Sequence, residues 1–159
     1  MKESIVDGPG IRFVVFAQGC RHNCLGCHNP DTHPFDGGEI INIALIVEQM
    51  KKNPLLDGIT LSGGEPFEQA EALAELAVEA KKMGLNVMTY TGYTYEHLEA
   101  NGGRRKDWAK LLEATDILVD GRFELEKRSL LLKFRGSENQ RIIDMKKTRE
   151  EKNLTLLEL

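Results

Sequence analysis

Short apolar runs alternate with helical patterns along this chain of 159 residues, and that alternation limits the folds open to it. Residues 11–17 are dense in β-branched and aromatic side chains, which predicts a buried strand. Three more strands are predicted over residues 58–62, 86–91 and 117–120. Strands separated by helices form parallel βαβ units with right-handed crossovers, so we expect an α/β fold.

The segments between these strands have helical periodicity. Apolar residues recur at positions i, i+3, i+4 and i+7 over residues 40–52, and residues 68–83, 95–100 and 107–114 also predict helices. A closed eightfold barrel takes about 250 residues, more than this chain has. We therefore expect one domain over residues 1–159. Its fold would be a short, incomplete (β/α) barrel of parallel strands, open on one side, or an open sheet.

Polar or glycine-rich segments follow all four predicted strands. They are residues 18–38, 62–66, 89–92 and 120–122. Ligands of parallel α/β folds bind at the carboxyl ends of the strands. We therefore expect these four segments to meet at one rim and to form the functional site.

The first of these segments contains the only three cysteines of the chain, Cys20, Cys24 and Cys27, in a C-x3-C-x2-C spacing. Four-iron clusters usually take four thiolates, so three would leave one iron with an open position. An open position is typical of a working metal site. An odd cysteine count and the absence of a secretory signal argue against a disulfide framework. A closed zinc site that recruits His22, His28 or His33 remains the alternative.

The other rim segments carry candidate binding residues. Gly63 and Gly64 would let backbone groups approach a ligand closely, although a glycine pair is also common in a tight turn. Glu65 beside them could take a cationic group of a ligand. Asp120 ends the fourth strand and Arg122 follows it. Asp120 serves either the site or only a turn, and Arg122 either the site or only the solvated surface.

Charge and hydropathy narrow the function classes. The net charge of −4 gives no reason to expect nucleic-acid binding, and no apolar run approaches the ~20 residues that span a membrane. Thiols that bind metal suit a reducing compartment, so we expect a cytoplasmic protein. Residues 101–141 are nevertheless mildly basic, which is typical of a solvated face or of a surface that meets a charged partner. We expect the partner surface to include Lys127, Arg128, Lys133, Arg135 and Arg141, and a solvated face remains the alternative for each of them.

The cysteine motif followed by Ser-Gly-Gly-Glu-Pro at residues 62–66 resembles the radical S-adenosylmethionine enzymes. Further segments resemble one family among them, the activating proteins of anaerobic ribonucleotide reductases. They lie at residues 6–12, 18–20, 27–30, 91–93, 117–122 and 134–140, and so span most of the chain.

This resemblance implies a 4Fe–4S cluster held by Cys20, Cys24 and Cys27, with no histidine ligand. The open iron would be chelated by the amino and carboxylate groups of S-adenosylmethionine. Cofactor contacts would come from Gly26, Cys27 and His28 near the adenine, from Gly63, Gly64 and Glu65 at the methionine end, and from Asp120 and Arg122. No catalytic side chain beyond the cluster ligands is implied.

Two residues depart from related patterns. Gly26 stands where many radical S-adenosylmethionine enzymes have an aromatic residue, so adenine contacts would come partly from the backbone. Arg122 stands where activating enzymes of pyruvate formate-lyase have a lysine, and the two cations differ in geometry.

The reaction implied is the reductive cleavage of S-adenosylmethionine to a 5′-deoxyadenosyl radical. That radical would abstract a hydrogen atom from one glycine of an anaerobic ribonucleoside-triphosphate reductase. The electron would come from an external donor such as flavodoxin or ferredoxin. Activation of another glycyl-radical enzyme such as pyruvate formate-lyase is the first alternative, and a small iron–sulfur electron carrier or a zinc-binding module are the remote ones.

Overall fold

A five-stranded sheet organises the part of the chain that the computed structural model describes, residues 2–18 and 42–157. Its strands lie side by side in chain order, and the first four are parallel while the fifth runs antiparallel to the fourth. They are β1 (Arg12–Ala17), β2 (Gly58–Gly63), β3 (Asn86–Tyr90), β4 (Ile117–Asp120) and β5 (Arg141–Asp144). Over the described residues the sheet is not closed, which confirms the expected incomplete α/β barrel.

The predicted helices all form, with ends that differ by a few residues from those expected. They are α1 (Ile43–Lys51), α2 (Ala70–Lys82), α3 (Tyr95–Asn101) and α4 (Lys106–Ala114), and α5 (Met145–Glu151) follows β5. A 3-10 turn, Pro66–Gln69, precedes α2, and its last two residues were predicted as the start of that helix. This turn begins at Glu65, whose side chain caps it by accepting a hydrogen bond from the amide of Phe67. No helix among the described residues is long and apolar enough to cross a membrane.

The main core lies between one face of the sheet and helices α2 and α4. Leu61 and Leu118 from the strands and Leu76 and Leu111 from the helices have no exposed surface. Because successive side chains of a strand point to opposite faces, the neighbouring residues of β3 and β4 face the other way. They form a second, smaller cluster with residues of the chain after β4. Its strand residues are Met88, Tyr90, Ile117 and Val119, and its later residues are Phe134, Ile142 and Leu157.

A buried arginine holds the amino ends of the first three strands together. Arg12 is 1% exposed and donates hydrogen bonds to Thr60, to the carbonyl oxygen of Ile59 and to Asn86. Burial lowers the pKa of its guanidinium to about 10, so it stays charged at neutral pH. It lies at the end of the sheet opposite the predicted site.

Strand β5 and its direction were not predicted. The sequence indicated only parallel strands ending at residue 120, whereas Asp120 of β4 pairs with Arg141 of β5 in an antiparallel register. A four-residue strand with polar residues at both ends gives little local signal, so its place depends on pairing with β4.

Candidate functional site

The carboxyl ends of β1 and β2 lie side by side, at the edge of the sheet where the rim was expected. Ala17 pairs with Gly63, and the amide of Gly64 donates a hydrogen bond of 2.8 Å to the carbonyl oxygen of Ala17. The cysteine segment therefore leaves the sheet directly beside the glycine pair. Its predicted ligands and cofactor contacts lie outside the described residues, so their roles stay predictions: Cys20, Cys24, Gly26, Cys27 and His28.

Gly63 must be a glycine for a reason that lies within the protein. Its φ of +95° is in the region that side chains rarely adopt, and an added Cβ would lie 2.6 Å from the backbone nitrogen and oxygen of Ala17. The sequence suggested that the pair serves a ligand. The structure adds that Gly63 allows β2 to turn tightly against the end of β1.

Glu65 joins the ends of β2 and β3. Its side chain is fully buried, and its carboxylate accepts hydrogen bonds from the hydroxyl of Thr91 at 2.9 Å and the amide of Gly92 at 2.7 Å. The predicted convergence of these segments is thus present. The carboxylate also caps the following turn, so Glu65 fixes the rim through protein contacts, and its contact with a ligand stays a prediction.

Asp120 ends β4, and its carboxylate is paired with the guanidinium of Arg141, a residue that the sequence did not assign to the site. Asp120 is 1% exposed, and its carboxylate accepts hydrogen bonds from the amide of Tyr95 at 2.8 Å and from Nε of Arg141 at 3.0 Å. Nη2 of Arg141 donates to the second carboxylate oxygen. The same guanidinium binds Glu96 of α3 with hydrogen bonds of 2.6 and 3.1 Å.

This Glu96–Arg141–Asp120 ion network connects α3, β5 and β4. The hydrogen bonds from Arg141 lower the pKa of Glu96, and those to Asp120 and Glu96 raise the pKa of Arg141. The sequence placed Arg141 in a basic segment that meets a partner. That interpretation is incomplete, because much of its charge is already paired inside the protein. Only the antiparallel register, invisible in the sequence, brings it to Asp120.

A cleft of about 600 Å³ opens beside this ion network, at the carboxyl ends of β3 and β4. Arg122 is exposed at its edge, so the structure brings Asp120 and Arg122 to one cleft, with Gly92 linking it to Glu65. The cleft is lined by Gly92, Tyr93, Thr94, Glu96, His97, Asp120, Gly121, Arg122, Glu124, Asn139 and Arg141.

One buried polar atom in the lining of this cleft has no hydrogen-bond partner in the described part of the chain. It is Oδ1 of Asn139, whose Nδ2 donates to the carbonyl oxygen of Arg122 at 2.7 Å. Within the same described residues, no three His, Cys, Asp or Glu side chains are grouped to hold a metal ion. The expected metal ligands all lie in the cysteine segment.

Comparison with known proteins identifies the chemistry of this rim. The family model described as a 4Fe-4S single cluster domain matches residues 6–143. The chain is 34% identical over 145 residues to the anaerobic ribonucleoside-triphosphate reductase-activating protein of Pasteurella multocida, which covers 86% of this chain and 89% of that protein. The protein of the same description from Enterobacteria phage T4 is 30% identical over 143 residues, 86% of each chain.

A third relative has a different description and a different length. The pyruvate formate-lyase-activating enzyme of Clostridium pasteurianum is 42% identical over 121 residues, which are 72% of this chain but only 47% of that protein. The local identity is therefore higher, but the agreement in length is much poorer.

A mostly parallel α/β sheet has a glycine turn beside the strand end that precedes the three cysteines in the sequence, and a four-iron domain model matches it. With its relatives this defines an activating enzyme of the radical S-adenosylmethionine class. Its cofactors are a 4Fe–4S cluster and S-adenosylmethionine, and its activity is the generation of a glycyl radical. The chain belongs to the family of anaerobic ribonucleoside-triphosphate reductase-activating proteins. The resemblance seen in the sequence is confirmed.

Proposed function

We propose that the protein substrate of this enzyme is an anaerobic ribonucleoside-triphosphate reductase, and that the product is a radical on the α-carbon of one of its glycines. The observation that carries this proposal is agreement over most of the length of both chains. The matches to the reductase-activating proteins cover 86% of this chain and 86–89% of those relatives, whereas the formate-lyase activase is matched over 47%.

We assign the cluster to Cys20, Cys24 and Cys27, with no ligand from His22, His28 or His33. Gly63, Gly64 and Glu65 are assigned to the methionine end of S-adenosylmethionine, Gly26, Cys27 and His28 to the adenine, and Asp120 and Arg122 to the cleft side. When bound, the two cofactors supply a 5′-deoxyadenosyl radical after the transfer of one electron. The residues of this chain bind and orient the cofactors and exclude water from them.

The described residues fit these cofactors. A backbone without side chains at Gly63–Gly64 lies directly beside the strand end from which the cysteine segment leaves. The adjoining cleft offers the exposed cation of Arg122 and the unpartnered oxygen of Asn139. A ligand that carries carboxylate, amino and ribose hydroxyl groups needs such a mixture of donors and acceptors.

The residues of this chain then act by positioning. Glu65 holds the ends of β2 and β3 in a fixed relation, and Asp120 and Arg141 do the same for β4, β5 and α3. Among the described residues the sheet is open, which would give a protein loop a side from which to reach the rim. We further propose that residues 1–159 form one domain, that the protein works in the cytoplasm, and that flavodoxin or ferredoxin donates the electron.

The direct test is radical formation. Protein reconstituted with iron and sulfide without oxygen, then reduced and mixed with S-adenosylmethionine and the reductase, should give a glycine-centred signal in electron paramagnetic resonance. Cys24→Ala should lose the four-iron cluster and the signal, while His28→Ala should keep the cluster. Activation of pyruvate formate-lyase without activation of the reductase would refute the assigned partner, and full iron content in Cys24→Ala would refute the assigned ligands.

The cofactor assignment has a separate test. Gly64→Val adds a branched side chain where the methionine end is expected, so it should weaken S-adenosylmethionine binding by about tenfold or more while the cluster still forms. Titration of the reconstituted variant measures the affinity, and its iron content reports the cluster. An unchanged affinity would remove Gly64 from the binding site.

A further inference from the structure

The loop between β4 and β5 presents two leucines to solvent. Leu130 is 92% exposed and Leu131 is 94% exposed, the highest values among the large apolar residues that the structure describes. Adjacent, fully exposed leucines gain nothing for the fold, since apolar side chains stabilise a protein only when they are buried. An exposed apolar cluster of this kind marks an interaction surface.

The base of this loop is fixed, so the leucines are presented from a rigid support. The amide of Glu138 donates to the carbonyl oxygen of Lys127 at 2.9 Å, and Arg128 and Ser137 pair as an isolated antiparallel bridge. On the inner side, the hydroxyl of Tyr90 donates to the carbonyl oxygen of Phe134, which packs in the second apolar cluster. We call residues 127–138 the leucine loop.

The leucine loop is attached directly to the cleft. Its next residues, Asn139 and Gln140, donate hydrogen bonds to the carbonyl oxygens of Arg122 at 2.7 Å and Gly121 at 3.1 Å. Gln140 also accepts hydrogen bonds from the amides of Gly136 and Ser137. A protein whose glycine reaches the cleft can therefore contact the loop at the same time.

The charges around the leucines favour an acidic partner. Residues 127–135 contain four cations and no acidic residue, although the chain as a whole has a net charge of −4. Lys127 pairs with Glu124, and Arg135 donates to the carbonyl oxygen of Gln140. Arg128 and Lys133 are exposed and have no ion pair among the described residues, whereas Arg135 is only partly exposed and is held against the backbone. Arg128 and Lys133 are therefore the cations that the loop presents most fully to solvent.

We propose that the leucine loop is the docking element for the protein substrate. Leu130 and Leu131 enter an apolar pocket on the reductase, while Arg128 and Lys133 face acidic side chains around that pocket. This inference rests on the proposed function, because the occupant is the protein that delivers its glycine to the adjoining cleft. The loop sets affinity for the partner and takes no part in cofactor binding.

The test is the double variant Leu130→Ser/Leu131→Ser, with Leu55→Ser/Leu156→Ser as a matched control at two other exposed leucines. The affinity of the first variant for the reductase, measured by biolayer interferometry without oxygen, should fall about tenfold to a hundredfold. The reductase concentration that gives half-maximal radical formation should rise by the same factor. Formation of 5′-deoxyadenosine with dithionite and no reductase should stay unchanged, as should both properties of the control.

Each other outcome overturns the docking proposal in a recognisable way. If the wild type activates the reductase and the double variant binds the reductase with the affinity of the wild type, the loop is not the docking element. The proposed function then stands. If the wild type neither binds nor activates the reductase, the proposed function fails first. Two further outcomes apply if the affinity of the double variant for the reductase is unchanged. Loss of a dimer that the wild type forms in sedimentation would assign the leucines to contact with a second copy. Loss of binding to phosphatidylserine vesicles would assign them to a membrane surface.

Discussion

At the scale of single residues, Arg141 decides whether the carboxyl end of β4 can remain buried. Asp120 is almost completely enclosed, and a buried carboxylate is tolerated only when it is paired and hydrogen-bonded. Arg141 provides that pairing and extends it to Glu96 at the surface. The site therefore depends on a residue distant in sequence, and its role in the fold is separate from any contact with the cofactor.

We predict that Arg141→Met destabilises the protein by about 2–4 kcal/mol, because it leaves the charge of Asp120 buried without a partner. The expected loss is smaller than is usual for a fully buried ion pair, because the side chain of Arg141 is about one-third exposed. The double variant Asp120→Asn/Arg141→Met should recover part of the loss, and the exposed control Arg122→Met should change stability by less than about 0.5 kcal/mol. Urea unfolding measures all three, and equal losses in Arg141→Met and Arg122→Met would contradict the prediction.

The pKa of Glu96 gives a prediction for acid stability. Arg141 lowers this pKa in the folded state, so the ion pair stabilises the fold fully above the ordinary glutamate pKa of about 4.3. The contribution is lost as pH falls through the lowered folded value. The melting temperature of Glu96→Gln should lie below that of the wild type at pH 7. The difference should shrink as pH falls below the ordinary glutamate pKa and disappear below the lowered pKa of the folded state.

The control for this pH series is Glu75→Gln, an exposed helix position for which the described residues show no ion pair. Its melting temperature should follow that of the wild type from pH 7 downward. A difference between wild type and Glu96→Gln that grows as pH falls would contradict the pairing with Arg141.

At the scale of elements, the sequence predicted most of the fold because local periodicity determines it. Four strands and four helices of the alternating pattern are found, with ends that agree with the prediction or differ from it by at most three residues. Strand β5 escaped prediction because it is short and pairs antiparallel with β4, a choice made by contacts over some twenty residues of intervening chain. The 3-10 turn before α2 was missed because it depends on the cap from Glu65.

The turn at the end of β2 offers a test at this scale. Gly63→Ala should cost about 2–4 kcal/mol, since it combines a positive φ with a Cβ 2.6 Å from the backbone of Ala17. Gly84→Ala is the matched control, because Gly84 has a φ of +79° but nothing within 4 Å of an added Cβ. It should cost only about 1 kcal/mol. Equal losses in thermal unfolding would show that strain alone, without the contact to β1, explains Gly63.

At the scale of the whole molecule, the uneven charge along the chain matters less than the count of basic residues suggests. Arg141 is held by two carboxylates, Arg135 by backbone carbonyls, and Lys127 by Glu124. The sequence could predict that residues 101–141 are basic, but it could not predict which cations are already paired. That distinction requires the side-chain geometry.

The salt dependence of activation should therefore be moderate. Exposed charges are screened over ~10 Å at 0.1 M salt, so added KCl should raise the reductase concentration needed for half-maximal radical formation. Arg128→Gln/Lys133→Gln should remove most of this salt dependence, whereas Leu130→Ser/Leu131→Ser should weaken activation and keep it. Salt dependence that survives unchanged in the charge variant would place the ionic contact elsewhere on the protein.

Some features of the candidate site could be predicted from the sequence, and others could not. The convergence of residues 62–66, 89–92 and 120–122 at one rim could be predicted, because parallel strands direct their carboxyl ends to one edge. The buried bonds of Glu65 and the partner of Asp120 could not, since they depend on which side chains meet after the strands have paired.

The order of the strands has a consequence for synthesis on the ribosome. In the described sheet each strand lies beside the one before it, so a nascent chain can add β1 to β4 as they emerge. The cation that neutralises Asp120 arrives only with β5. A chain truncated after residue 140 and released from the ribosome should therefore contain the parallel strands but leave the end of β4 open to protease. The end of β4 would be protected only after Arg141 has left the ribosome and β5 has paired.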